Sequence, residues 1–387
     1  TGSPYSGPSA FAGNLRLLKG GEAKLRLDFA KWKTNQEFRK FIKEHEYWLS
    51  PFAAFMAIKN LHGGAPVWEW KSKYKHYKED LLKSKELKKE IKFQMFAQFK
   101  FFKEWLKLKA YANRKGVKIV GDIPMFVNAD SADVWANKKY FSVDNNFALL
   151  ERTGAPPDDF APQGQDWGVP SYNWQALKDD DYGWWVQRIA HCFKLYDVLR
   201  VDHFRGFDNF WAIEPDKTAA QGFWKQGPKI DLFNVLYAKL GQLPMMPEDL
   251  GFITPSIRYL MMRTGFPSME VMQLVDDDPG QFYSPAQHKV CYTATHDHMS
   301  TLSWCMSRYG VGPAEATTML HTLIHNLFES KANVVFLPLQ DLLGIDDRSR
   351  MNLPASCHGN WSWRAKPGCL NANTVKELKK LTKKSKR

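Results

Sequence analysis

The 387 residues are 44% hydrophobic, enough for one large domain or two with a substantial core, and no stretch of the composition points to disorder. Lys and Arg outnumber Asp and Glu by 54 to 41, and without a run of about 18 uncharged apolar residues a membrane-spanning helix is excluded. Five scattered cysteines with no Cys-x-x-Cys pair suit reduced thiols in a cytosol-like compartment, and no metal site is expected.

The opening residues, Thr1 to Tyr5, have neither a basic start nor an apolar stretch, so no secretory signal is expected. Phe38, Phe41, Ile42, His45, Trp48 and Leu49 trace one helical stripe, and Pro51 predicts a break before a second helix through Met56. From Lys83 to Lys115, lysines alternate with Leu87, Ile91, Met95, Phe99, Phe102, Leu106 and Ala110, which recur every three or four residues. That is the polar face of an amphipathic helix. Much of the basic excess lies between Lys71 and Lys118 and in the tail Lys376 to Arg387, so it reads as solvated helix surface and no nucleic-acid partner is expected. The stretch 35–116 is predicted mostly helical, with Gly116 as its stop.

Beyond Val117, apolar runs alternate with helical stretches, as in βα units. Strands are predicted near 117–122, 197–202, 244–248, 268–274, 291–296 and 333–339. Trp184 and Trp185 fall in a predicted helix and are assigned to packing; Trp361 and Trp363 alternate as in a strand or extended tail and are assigned to packing as well. Four runs end on acids: Asp122, Asp202, the pair Glu248 and Asp249, and Asp297. Each alone reads as a helix cap or turn residue. Four in register read as a site, because parallel strands of a (β/α)8 barrel direct their C-terminal ends into one mouth.

The segment Arg200-Val-Asp-His-Phe-Arg-Gly206, followed by Glu248-Asp-Leu-Gly251 and Thr295-His-Asp297, resembles the amylomaltases, 4-α-glucanotransferases of glycoside hydrolase family 77 in the α-amylase clan. Gly121-Asp-Ile-Pro124, Asp130-Ser-Ala-Asp-Val-Trp135, Gly164-Gln-Asp-Trp-Gly168, Gly265-Phe-Pro267 and Gly359-Asn-Trp-Ser-Trp-Arg364 resemble that family in the same order. The resemblance covers nearly the whole chain. It implies an α/β fold, a (β/α)8 TIM barrel with helical insertions, forming a single catalytic domain over 1–387 with 35–116 as a mainly helical subdomain. The family's first two strands precede segments like Ser3-Pro-Tyr5 and Ser9-Ala-Phe-Ala-Gly-Asn14, so a chain lacking its N-terminal strands is expected.

The resemblance also implies roles. Retaining cleavage of a glycosidic bond needs a nucleophile and a proton donor roughly 5 Å apart. Asp202 is assigned as the nucleophile, Glu248 as the general acid/base and Asp297 as the group that stabilises the distorted, oxocarbenium-like ring. Asp249 would raise the pKa of Glu248 if the two carboxylates approach. Substrate contacts are expected from Asp122, Arg200, His203, His296, Trp167, Gln165, Tyr5 and Asn352. A pyranose presents C–H faces to aromatic rings, and Trp167, Tyr172 and Trp174 lie on or beside the Pro- and Gly-rich loop 155–170, where core burial is a poor explanation.

Three positions depart from the family pattern: His298 and Val169 stand where Asn is common, and Asp159 where an aromatic or small residue is common. They bear on acceptor preference and rate. The expected function is transfer of α-1,4-glucan segments between maltooligosaccharides through a covalent glucosyl intermediate, without a cofactor. Alternatives are a hydrolase of the same clan and a non-catalytic glucan-binding protein. A cytoplasmic location is expected, an organellar one staying open because a targeting peptide could have preceded Thr1.

Overall fold

The computed structural model describes residues 19–32, 35–158, 161–251, 253–275, 288–354, 356 and 358–387. By internal contacts the chain forms two compact units, Thr1–Met245 and Met246–Arg387. Ten strands occur among the described residues: β1 (Val120–Ile123), β2 (Arg152–Ala155), β3 (Gln165–Pro170), β4 (Val198–Val201), β5 (Asn209–Ile213), β6 (Phe223–Gln226), β7 (Met245–Pro247), β8 (Ser268–Val271), β9 (Lys289–Tyr292) and β10 (Val334–Phe336).

Among the described residues of the first unit, three long helices come first, Lys19–Trp32, Gln36–Leu61 and Lys88–Arg114. The second begins where the Asn35 side chain accepts the Phe38 N–H at 3.2 Å. It packs on the third through phenylalanines: Phe38 on Phe96 and Phe99 with ring centroids 5.6 and 5.4 Å apart, and Phe41 on Phe102 at 5.3 Å. Burying each such ring stabilises the pair by about 2–3 kcal/mol. This packing overturns the expected break at Pro51, which lies inside one continuous helix. Pro51 lacks the N–H that would reach the Tyr47 carbonyl, a defect of about 3 kcal/mol. Leu49, Ala53, Ala54, Phe55 and Ile58, all buried, hold the helix on both sides of it.

The apolar stripe of Lys88–Arg114 is buried through Phe102, whereas Leu106 is exposed and Trp105 turns inward, donating to the Leu195 carbonyl at 2.8 Å. The helix stops as expected at Gly116, whose φ of 76° allows the Gly116 N–H to reach Asn113 O and the Val117 N–H to reach Ala112 O.

A sheet ordered β1-β4-β7 follows, in which β1 and β4 run parallel with Asp122 opposite Arg200, and β7 begins on the last residue of the first unit. Asp197 anchors the entry to this sheet by accepting from Ile119 N and the Asn113 amide, both at 2.8 Å, and pairing with Lys109 at 3.4 Å. A second sheet, antiparallel and ordered β3-β2-β5-β6, was not expected from the sequence. It takes Gln165–Pro170 out of the predicted loop and pairs it with β2. At its far side β6 exposes all four of its residues.

In the second unit β8, β9 and β10 pair in parallel in the order β10-β9-β8. Helices Thr301–Tyr309, Pro313–Glu329 and Ala372–Lys384 bury Leu302, Cys305, Leu320, Leu323 and Leu381 in one cluster. A strand occurs at or beside each of the six places predicted beyond Val117, each shorter than expected, and the one expected at 291–296 lies earlier, at Lys289–Tyr292. Among the described residues no helix is long and apolar enough to cross a membrane.

Candidate active site

Two groups of predicted residues assemble, one in each unit. In the first, the parallel register sets Asp122 beside Arg200, and the two-residue period of β4 returns Asp202 to the same side. One guanidinium nitrogen, Arg200 Nη1, donates to Asp122 Oδ2 at 2.7 Å and to Asp202 Oδ1 at 3.1 Å. Arg200 is 9% exposed, while both carboxylates are open to solvent. Charge-assisted bonds of this kind orient the carboxylates, and the buried cation offsets their charge. Asp202 is further fixed through its backbone N–H, which donates to Ile123 O at 3.0 Å. Close packing beneath this corner requires glycine at 121, where a Cβ would enter the Tyr196 ring.

His203 follows in the left-handed region, at φ 48° and ψ 47°. Its ring meets Trp167 edge-on at 4.7 Å and lies 6.2 Å from Phe126. Burial, with a smaller contribution from the Arg205 charge, lowers its pKa to about 3. The imidazole is therefore neutral near pH 7, able to give or take a hydrogen bond but not to supply a proton. Trp167 donates to Gln165 Oε1 at 3.2 Å, so Gln165, Trp167, His203 and Phe126 form one partly exposed cluster. Arg205 donates to Asn209 Oδ1 at 2.7 Å and covers the Trp224 ring at 4.1 Å.

In the second unit Glu248 directly follows β7. Asp249 turns toward β8 and accepts the Met269 N–H at 2.6 Å. Burial raises the Asp249 pKa to about 6, against the opposing effect of that backbone bond. Asp249 thereby ties the end of β7 to β8. His296 Nε2 lies 3.2 Å from Asp297 Oδ2, and Asn352 donates to Asp297 Oδ1 at 2.5 Å. The Asn352 N–H also meets His296 O at 3.0 Å. Arg350, absent from the sequence-based set, donates to Asp297 O at 2.7 Å and to Asn352 O at 2.9 Å. Its contacts are to backbone carbonyls, which leave no signal in the sequence.

Several aromatic assignments change. Tyr172 is 2% exposed and donates to Met125 O at 2.6 Å; burial pushes its pKa upward. Trp174 stacks between Tyr172 and Trp185, at 4.9 and 6.2 Å. Both belong to packing, in company with the buried Trp184 and Trp185, because the turn after β3 folds back under the helix Gly183–Leu195. Trp361 moves the other way: it is 45% exposed, not packed away, and lies 5.1 Å from the His296 ring. A left-handed backbone at φ 59° turns it outward, and its N–H is held by Met351 O.

Val169 is buried with its carbonyl facing Thr153, and His298 bends back on its own loop to Thr295 Oγ1 at 2.6 Å. Tyr5 and Asp159 lie outside the described residues. No group of three or more metal-binding side chains occurs among the described residues.

Comparison with known proteins bears on the family. Residues 22–371 match the sequence model of glycoside hydrolase family 77, described as 4-α-glucanotransferase. A 4-α-glucanotransferase of Streptococcus pneumoniae is 37% identical over 366 residues, spanning 90% of this chain and 72% of its own. A chloroplastic/amyloplastic 4-α-glucanotransferase of Solanum tuberosum is 36% identical over 353 residues, spanning 86% and 61% respectively. Among solved structures, the amylomaltase from Streptococcus agalactiae in complex with acarbose is similar with a TM-score of 0.89 and 33% identity, covering 97% of this chain and 80% of that one.

Proposed function

Since the chain belongs to glycoside hydrolase family 77, the 4-α-glucanotransferases, we propose that it moves α-1,4-glucan segments between maltooligosaccharides by double displacement, with Asp202 as nucleophile. Strands β1, β4, β7, β8, β9 and β10 are read as six of the eight strands of a (β/α)8 barrel, whose C-terminal ends carry the chemistry.

The observation that carries the reading is the Arg200 guanidinium bound to both Asp122 and Asp202. A nucleophilic carboxylate must be ionised and aimed at the anomeric carbon, and a bridging cation supported by a second carboxylate does both. Asp202 attacks C1 while Glu248 protonates the departing glycosidic oxygen, which leaves a glucosyl ester on Asp202. The departing sugar is replaced by an acceptor whose 4-hydroxyl gives its proton to Glu248 and attacks the same carbon, restoring the α-configuration. Asp297, held by Asn352 and His296, binds ring hydroxyls as the sugar flattens. His203 is suited to a hydrogen bond with the glucosyl unit as a neutral imidazole, and Trp167 and Trp361 each offer a flat apolar face to a sugar ring. Transfer prevails over hydrolysis when an acceptor sugar displaces water from the intermediate. The bacterial and plastid relatives are about equally similar, at 37% and 36%, so similarity alone does not set the compartment.

Incubation with maltotriose tests the proposal. Glucose together with a ladder of longer oligomers is expected, and both are lost in Asp202→Asn. Glucose and maltose without longer products would establish hydrolysis instead, and an active Asp202→Asn protein would remove Asp202 from the nucleophile's role.

A further inference from the structure

The segment from Thr293 to Thr301 leaves β9 and enters the helix Thr301–Tyr309, with His296 and Asp297 midway along it. A single side chain distant in sequence holds both of its ends. Asp341 is 1% exposed. Its Oδ2 accepts from Thr293 Oγ1 and Thr301 Oγ1, both at 2.6 Å, and its Oδ1 accepts the Thr301 N–H at 2.8 Å. Three donors converging on one carboxyl call for the ionised, acceptor-only form, although burial pushes its pKa upward. Gln273 braces the same corner, donating to Met299 O at 2.9 Å and Thr301 Oγ1 at 3.4 Å.

The stretch that carries Asp341 continues to the residues that touch Asp297 itself. Gln340 Nε2 donates to Ser349 O at 3.1 Å, Asp347 accepts the Ser300 N–H at 2.9 Å, and Arg350 and Asn352 then reach Asp297. Residues 340–352 thus grip the loop at Thr293, Ser300 and Thr301 and at its centre.

We propose that Asp341 is a positioning residue for glucan transfer: by tying Thr293 to Thr301 it fixes the span of the loop and hence the placement of Asp297 against the reacting sugar. The inference rests on the role given to Asp297 above. Misplacing a catalytic contact by about 1 Å can lower the rate by about 10²-fold, whereas distant binding contacts are left in place. Loss of Asp341 therefore acts on kcat far more than on KM.

The test is a double-mutant cycle in the full-length protein, with initial rates of glucose release from maltotriose. Asp341→Asn is expected to lower kcat at least about tenfold with KM within about threefold, and to add less than about twofold when introduced into Asp297→Asn. An equal loss in both backgrounds, or an unchanged kcat, overturns the proposal. If Asp341→Asn does not fold, Thr293→Val against Thr293→Ser decides by the same cycle, since only the serine keeps the hydroxyl that Asp341 accepts; equal rates for the two overturn it. If Asp297→Asn by itself leaves kcat intact, the role of Asp297 falls, a result distinct from failure of the Asp341 coupling.

Discussion

Arg200 serves two carboxylates through one nitrogen, so its loss leaves both without their buried counter-charge. Arg200→Ala is expected to reduce kcat by about 10²-fold or more, while Asp122→Asn, which spares the Arg200–Asp202 bond, costs about tenfold; steady-state kinetics on maltotriose check both. Trp361 calls for a different signature. As an open ring beside His296 it can hold substrate without touching the reacting bond, so Trp361→Ala should raise KM about fivefold, equivalent to about 1 kcal/mol of stacking, with kcat little changed. Much of this site was legible residue by residue, because the Arg-Val-Asp-His and Thr-His-Asp strings place charged groups directly after apolar runs. Arg350 and Asp341 were not legible. They act across about forty or more residues of chain, on a backbone carbonyl and on two threonine hydroxyls, and neither contact leaves a pattern in the sequence. Asn352 was named, but its bond to Asp297 needed the fold.

At the scale of elements, Pro51 is the sharpest test of packing against propensity. Because tertiary contacts hold the helix through Pro51, Pro51→Ala should restore the missing hydrogen bond and raise stability by about 1 kcal/mol after the loss of proline's restriction of the unfolded chain, seen as a higher Tm by calorimetry. Phe99, whose ring meets Phe38 and Phe41 at 5.4 and 5.5 Å, supplies the opposite case: Phe99→Ala is expected to destabilise by about 3–5 kcal/mol with the transfer reaction intact at low temperature. Strands β1, β4, β7, β8, β9 and β10 could be read in advance because each falls in a short, mostly apolar run between helical stretches. The antiparallel sheet could not. Gln165-Asp-Trp-Gly-Val-Pro does not alternate cleanly and β6 buries nothing, so pairing partners decided their conformation rather than hydrophobic period.

The molecule as a whole carries a pH dependence set by its histidines. Burial lowers the His191 pKa to about 4 and that of His203 to about 3, and lowers His45 and His298 as well. For a histidine with a depressed folded pKa, the stability contribution is complete above the unfolded value of about 6.5 and is lost as pH falls, because the unfolded chain takes up a proton that the folded chain refuses. Asp249, raised to about 6, works in the opposite sense. Urea midpoints should therefore drop between pH 6.5 and 4, and His191→Gln should flatten that slope by up to about 1.4 kcal/mol per pH unit. An unchanged slope would remove His191 from this account.

One remaining property concerns many copies at once. The outer margin of β6 offers backbone donors and acceptors to any extended strand that drifts near it, beneath the exposed rings of Phe223 and Trp224. Lys225 sets a positive charge in the middle of that margin, paired at 2.9 Å with Glu151. A second molecule aligning there in antiparallel fashion would bring its own Lys225 against the first, and like charges directly opposite repel. The same lysine thus serves colloidal behaviour: Lys225→Val should leave the isolated protein folded yet make its solutions scatter light increasingly with concentration.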